Sequence, residues 1–147
     1  MNLVALVADL QRDEGWSGYL YDDATGQKIG PGSSVKGHPT VGYGFALDVS
    51  PLTMSEAEPI LSGRAQAAWD YLLAAIPWAA NLSEPRQRAL ANMAYQLGTS
   101  GLLEFKEFLA LLEKGQYEVA AKDLATTLWF KQSGDRAPRI QALIRNG

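Results

Sequence analysis

Glu14–Gly44 reads EGWSGYLYDDATGQKIGPGSSVKGHPTVGYG, and its punctuation decides the fold. Tyr19 and Tyr21 alternate with Gly18, Leu20 and Asp22, the period-two pattern of a short strand. Asp22-Asp23-Ala24-Thr25-Gly26 is turn chemistry. Residues 27–39 carry Gly30, Pro31, Gly32, Ser33, Ser34, Gly37 and Pro39, which predicts a loop. Thr40–Phe45, TVGYGF, predicts a second strand whose Gly42 and Gly44 leave room for a close approach on one face. The loop has no GxxxxGK[ST] pattern and no helix after it, which excludes a nucleotide cradle.

Upstream, Leu3, Leu6, Val7 and Leu10 fall at i, i+3, i+4 and i+7 and predict an amphipathic helix over 3–14. Asn2 is placed to cap its start and Gly15 to stop it. Glu14 comes four residues after Leu10 and so continues the apolar stripe. Burial and the negative end of the helix dipole would both raise the pKa of a carboxyl there. A general acid working near neutrality needs that direction of shift. A frayed, solvated helix end is the competing reading of Glu14, and paired aspartates at a turn commonly just cap it. Acid, aspartate and hydroxyl nevertheless follow in an order that points to hydrolysis of a glycosidic bond.

The 147 residues suffice for one good core, or two small lobes sharing one. Hydrophobic residues are 47% and charged residues 20%, an ordinary globular balance. No run of about 18 apolar residues predicts a membrane span. MNLVALVADLQRDEG lacks a basic leader and is interrupted by Asp9, so it reads as a helix of the fold and not as a signal peptide. The absence of cysteine excludes disulfides and thiol catalysis. The single histidine, His38, cannot build a multi-histidine metal site. A net charge of −3 without a basic patch argues against a nucleic-acid partner, and gives no long-range attraction to an anionic wall polymer.

Downstream the pattern is helical. Thr53 and Glu56 form a capping box opening a helix to about Ile76, with a kink or restarted turn expected at Pro59. Pro77 ends it. Ser83 and Pro85 open the next helix, whose stripe is Leu90, Met93, Ala94 and Leu97, with Gly98 and Gly101 as punctuation. Phe105, Phe108, Leu109 and Leu112 mark another helix, stopped by Gly115. Tyr117, Ala120, Ala121, Leu124 and Leu128 mark one more, and Ile140, Leu143 and Ile144 mark the last, after Gly134. Aromatics at these spacings read as core and not as a cofactor box.

Four segments now line up with one known pattern. Glu14-Gly15 is followed by Asp23 after eight intervening residues, and Thr40-Val41-Gly42-Tyr43-Gly44 forms a T-[IV]-G-x-G strand. LTMSEAEPIL (52–61), RQRALANMAYQLG (86–98) and WFKQSGDRAPRI (129–140) follow in order. In these motifs the chain resembles the phage-type lysozymes, the muramidase family typified by the lysozyme of T-even bacteriophages, over nearly its whole length.

That resemblance implies a single lysozyme-like α+β domain over 1–147. It would have a small lobe with a short antiparallel sheet (15–53), a connecting helix (54–76) and a helical lobe (77–147) packed with helix 3–14, with a cleft between the lobes. It implies cleavage of the β-1,4 bond between N-acetylmuramic acid and N-acetylglucosamine in peptidoglycan, with inversion and without metal or cofactor. Glu14 would be the general acid, Asp23 the carboxylate across the scissile bond, and Thr40 a holder of the attacking water. Arg136 would be a buried partner orienting Glu14, and so would oppose the upward shift argued above. Phe45, Ala46, Tyr95 and Gln96 would line the saccharide cleft, and Trp129 would be core near its floor. The expected protein is a monomer made in the host cytoplasm, acting on periplasmic peptidoglycan with a holin's help if it is a free endolysin. A virion- or tail-associated lysozyme domain and an inactive wall-binding module are the alternatives, the last disfavoured by the intact Glu14, Asp23 and Thr40.

The chain departs from the pattern between Asp23 and Thr40, which sixteen residues separate. Shorter members have a far tighter connection, so 27–39 reads as an insertion. A simple loop would return Thr40 to the site; otherwise Thr25 competes for its role. Asp22 competes with Asp23. Phe45 stands where the family often has a histidine, and the acidic balance departs from the basic member that typifies it.

Overall fold

The computed structural model describes Met1–Gly147 and divides into two units, Met1–Ala57 and Glu58–Gly147. The division falls inside a helix, just ahead of Pro59.

In the first unit, helix α1 spans Leu3–Glu14 and starts at Asn2, whose side chain accepts the Ala5 N–H at 3.2 Å. Strand β1 is Ser17–Asp22, β2 is Pro39–Gly42 and β3 is Phe45–Ala46, forming an antiparallel sheet in the order β1-β2-β3. Ser17 pairs with Gly42, and Tyr21 with Thr40, so β1 bulges between them. Ser17 Oγ sits inside that bulge, donating to the Tyr19 carbonyl at 2.8 Å and accepting the Tyr19 N–H at 3.3 Å.

Two expectations are corrected here. Thr40–Phe45 is not one strand but a hairpin, because Gly42 and Gly44 take positive φ values that turn the chain. Residues 27–39 are not all loop, because Lys28 forms a bridge with Tyr21 on the outer edge of β1, and Ile29 N donates to Leu20 O at 2.8 Å.

The only buried residues of this unit are Asp22, Thr40 and Gly42. Its interior is a small polar network, since so short a segment encloses little apolar volume. Helix α1 buries nothing, and its stripe of Leu3, Leu6, Val7 and Leu10 is exposed.

Helix α2 spans Met54–Ala75 and carries the expected capping box. Thr53 N donates to Glu56 Oε2 at 2.8 Å, and Glu56 N donates to Thr53 Oγ1 at 3.4 Å. It runs through Pro59 unbroken; the carbonyl that Pro59 leaves without a donor belongs to Ser55, which is exposed. A 3₁₀ turn at Pro77–Asn81 follows, then α3 (Glu84–Leu103), α4 (Lys106–Glu113), α5 (Tyr117–Thr126), α6 (Leu128–Gln132) and α7 (Arg136–Asn146). The single helix expected over Tyr117–Leu128 is two, because Thr127 turns extended and caps α6 through its hydroxyl, which accepts Phe130 N–H at 3.1 Å. Ser83 heads α3 without a side-chain cap; its hydroxyl accepts from Arg86 instead. Gly98 leaves helical geometry and kinks α3.

The core lies in this second unit, where Leu72, Leu90, Met93, Leu102, Phe108, Leu112, Leu124 and Ile144 are fully buried. Arg86 ties α3 to the end of α7. Its guanidinium donates to the Ile144 carbonyl at 2.9 Å and lies 3.5 Å over the Tyr117 ring. Leu90→Ala is expected to destabilise this unit by about 2–5 kcal/mol. Val119→Ala, at an exposed site, should cost under about 0.5 kcal/mol. Urea unfolding of the two variants checks the contrast.

Candidate active site

Glu14 closes α1, and Gly15 at φ +69° breaks the helix so that β1 can begin. Its carboxylate rests against the hairpin turn: a Cβ built on Gly44 would sit 2.7 Å from Glu14 Oε2. The close approach anticipated at Gly44 is therefore to the acid itself. The anticipated burial of Glu14 is not found. Glu14 is exposed, like the stripe it continues, and within its unit the hairpin turn packs on only one side of it. Gly44→Ala is expected to strain a residue at φ +75° and push Glu14 aside. The glycan cleavage that the sequence resemblance implies is expected to fall about tenfold or more, with about 1–2 kcal/mol lost in stability. Turnover and thermal unfolding of the variant would check both.

Asp23 and Thr40 are brought together by the main chain of His38. The His38 N–H donates to Asp23 Oδ1 at 2.6 Å, and the His38 carbonyl accepts from Asp23 N–H at 3.1 Å. The same carbonyl accepts the Thr40 hydroxyl at 3.1 Å. That bond takes up the Thr40 proton and leaves the hydroxyl oxygen an acceptor only, on a residue that is 3% exposed. Asp23 is exposed, with Oδ1 engaged by His38 and Oδ2 without a hydrogen-bond partner in the chain. A carboxylate beside a hydroxyl that accepts hydrogen bonds is an arrangement able to orient and deprotonate water.

Asp22 holds the insertion. It is 3% exposed, and its carboxylate accepts Lys36 N–H at 2.8 Å, Gly37 N–H at 2.9 Å and Ala24 N–H at 3.0 Å. These donors, Lys36 foremost, hold its pKa below the usual carboxylate range. A Cβ on Gly37 would run into Asp23 Oδ1 and the Ala24 backbone, so only glycine fits there. The loop thus returns the chain to pair Asp22 with Pro39 and Tyr21 with Thr40. Thr25 sits in the exposed turn, where its hydroxyl accepts Gln27 N–H at 3.3 Å. Asp22 and Thr25, the two competitors for the site, both serve the loop. The structural duty of Asp22 was missed because sequence alone does not tell which of two adjacent aspartates turns inward.

The His38 side chain points to a different duty. Its Nδ1 lies 3.0 Å from Asp48 Oδ2, and that hydrogen bond raises the His38 pKa above 6.5 and lowers that of Asp48 below 3.8. A raised histidine pKa stabilises fully below the unfolded value and loses that effect as pH rises through the folded one. A lowered aspartate pKa stabilises above the unfolded value and loses that effect as pH falls through the folded one. The pair is therefore strongest between those limits. His38→Gln should lower Tm by about 1–3 °C at pH 6, since both groups are solvent-screened. By pH 9 the gap should have closed, and a scan of Tm against pH would show whether it does.

Of the other residues singled out, Phe45 is exposed in β3 and Ala46 pairs with Thr40. In the second unit Tyr95 is exposed on α3, and Gln96 Oε1 accepts the indole N–H of buried Trp129 at 3.1 Å. Arg136 opens α7, half-buried.

The sequence pattern of the phage lysozyme family matches residues 12–146, and the chain belongs to that family. The α+β architecture of seven α-helices and a three-stranded sheet accords with it. Over 156 aligned positions the chain is 29% identical to the Pre-baseplate central spike protein Gp5 of Enterobacteria phage T4, a match covering 94% of this chain and 27% of the spike protein. It is 34% and 36% identical, over 67 residues, to Probable T4-type lysozymes 1 and 2 of Dictyostelium discoideum, covering 46% of this chain and 39% of each of theirs. The matched region thus spans well under half the length of these relatives.

Proposed function

We propose that the protein is a muramidase, hydrolysing the β-1,4 bond between N-acetylmuramic acid and N-acetylglucosamine in peptidoglycan. Glu14 protonates the leaving oxygen. Asp23 deprotonates a water held by Thr40, which attacks the anomeric carbon from the opposite face and inverts it. The observation that supports this reading is that main-chain groups of one residue, His38, bond both the Asp23 carboxylate and the Thr40 hydroxyl across the long insertion. Phe45, Ala46, Tyr95 and Gln96 are the proposed saccharide contacts and Arg136 the proposed supporting cation. Digestion of purified sacculi tests the reading: new reducing ends should appear on N-acetylmuramic acid. Ends on N-acetylglucosamine, or none, would refute it.

The role in the phage cycle has two readings. One is an endolysin that ends infection, reaching the wall with a holin. The other is a lysozyme domain of the virion, favoured by the match of 94% of the chain to part of a central spike protein. Probing purified particles with an antibody separates them, since only the second leaves the chain in the virion.

A further inference from the structure

The main chain of His38 bonds Asp23 and Thr40, and its side chain bonds a third carboxylate, Asp48. Both neighbours of His38 are held from the β1 side of the sheet by one residue, Asp22. The Gly37 N–H donates to the Asp22 carboxylate, and Pro39 pairs with Asp22 in the β1–β2 ladder. The contact between His38 Nδ1 and Asp48 Oδ2, at 3.0 Å, comes from the opposite side, from the stretch that follows β3. That stretch is itself pinned. Leu47 N–H donates to the Pro39 carbonyl at 3.0 Å, and the Val49 and Ser50 N–H groups donate to the Ala46 carbonyl at 3.2 and 2.9 Å.

Half of the His38 side chain is exposed, so the ring fills no core. Two carboxylates act on it, Asp48 foremost and Asp23 more weakly through its charge, and both favour the protonated ring. A protonated imidazole makes a charge-assisted hydrogen bond to Asp48, stronger than the bond a neutral ring makes. Such an exposed pair contributes little to stability, because solvent screens it. Position is a more sensitive matter: a displacement of about 1 Å at reacting groups can cost about 10²-fold in rate. A contact too weak to matter for folding is therefore strong enough to matter for the placing of Asp23 and Thr40.

We propose that His38 is a positioning residue for the water-activating pair: its imidazolium, anchored on Asp48, fixes the main-chain segment that bonds the Asp23 carboxylate and the Thr40 hydroxyl. His38 acts through those two groups and not on the substrate. The tether is charge-assisted while the ring is protonated and weakens to an ordinary hydrogen bond when the proton leaves. Turnover is thereby coupled to the charge of a side chain outside the chemistry. The assignment rests on the muramidase reading and deepens it.

Steady-state hydrolysis of solubilised glycan strands from pH 6 to pH 9 tests the tether. At pH 6, His38→Ala should lower kcat about tenfold and leave KM unchanged. Asp48→Asn should lower kcat by the same factor, and the double variant should lose no more than either single one. The ratio of wild-type to variant kcat should narrow to about twofold by pH 9, as the ring of the wild type loses its charge. Titration of Glu14 or Asp23 is common to both proteins and cancels in that ratio. Thermal unfolding within about 3 °C of the wild type would exclude a folding defect. Wild-type kcat in His38→Ala and Asp48→Asn, losses that add in the double variant, or a ratio that stays constant to pH 9 would each overturn the tether while leaving the muramidase reading in place. A wild-type protein that leaves the strands uncut would overturn the muramidase reading and the tether with it.

Discussion

Glu14→Gln should leave the fold intact and lower peptidoglycan cleavage by about 10²–10⁴-fold, the usual contribution of a positioned general acid. The substitution is isosteric, and Glu14 is exposed at the end of a helix that buries nothing, so no packing is lost. The Gly44 turn that abuts its carboxylate accepts an amide of the same shape. Only the proton is removed from the chemistry. The leaving sugar oxygen would then depart unprotonated, the harder route for a poor leaving group. Clearance of permeabilised Gram-negative cells reads the effect, and wall binding by the variant should persist. Equal lysis by Glu14→Gln would remove Glu14 from the catalytic role.

Asp22→Ala is the second large effect, and it acts at a distance. Three backbone N–H groups, from Lys36, Gly37 and Ala24, would lose their acceptor at a buried position. Gly37 is followed directly by His38, whose peptide clamps Asp23 and Thr40. Loosening one end of that segment should move the water-activating pair, and a displacement of about 1 Å can reduce turnover by about 10²-fold. Turnover of Asp22→Ala should fall to that extent, and the Lys36 and Gly37 amides should exchange hydrogen faster than in the wild type. Full activity, or unchanged exchange at those amides, would show that the loop is held by something else. The acid limb follows from the same network. The folded pKa of Asp22 lies below its ordinary 3.8, so its stabilisation is present above 3.8 and is lost as pH falls through the folded value.

Much of this was legible in the sequence because it depended on local chemistry. The extent of α1, its Asn2 cap and the Thr53–Glu56 capping box are set by residues within one turn of each other. Glu14, Asp23 and the Thr40 strand, which lie too far apart for local chemistry, were singled out by their match to the lysozyme pattern. What was not legible depended on contacts across the insertion. Which of Asp22 and Asp23 turns inward is decided by the Lys36 and Gly37 amides, 14 and 15 residues away. The hairpin within Thr40–Phe45 depends on Gly42 and Gly44 turning together, where a strand with one close-packed face would have carried the same letters. The break at Thr127 was hidden because Leu128 keeps the helical spacing of α5 while Thr127 restarts the chain.

The proposed roles of Asp23 and Thr40 require that Asp23 act through water and not as a nucleophile. Proton NMR of the first sugar released from a β-linked glycan strand reads this directly, before mutarotation mixes the anomers. The arrangement around His38 predicts that the α-anomer of the new reducing end appears first. Initial release of the β-anomer would mean retention through a covalent intermediate, and would contradict the roles given to Asp23 and Thr40.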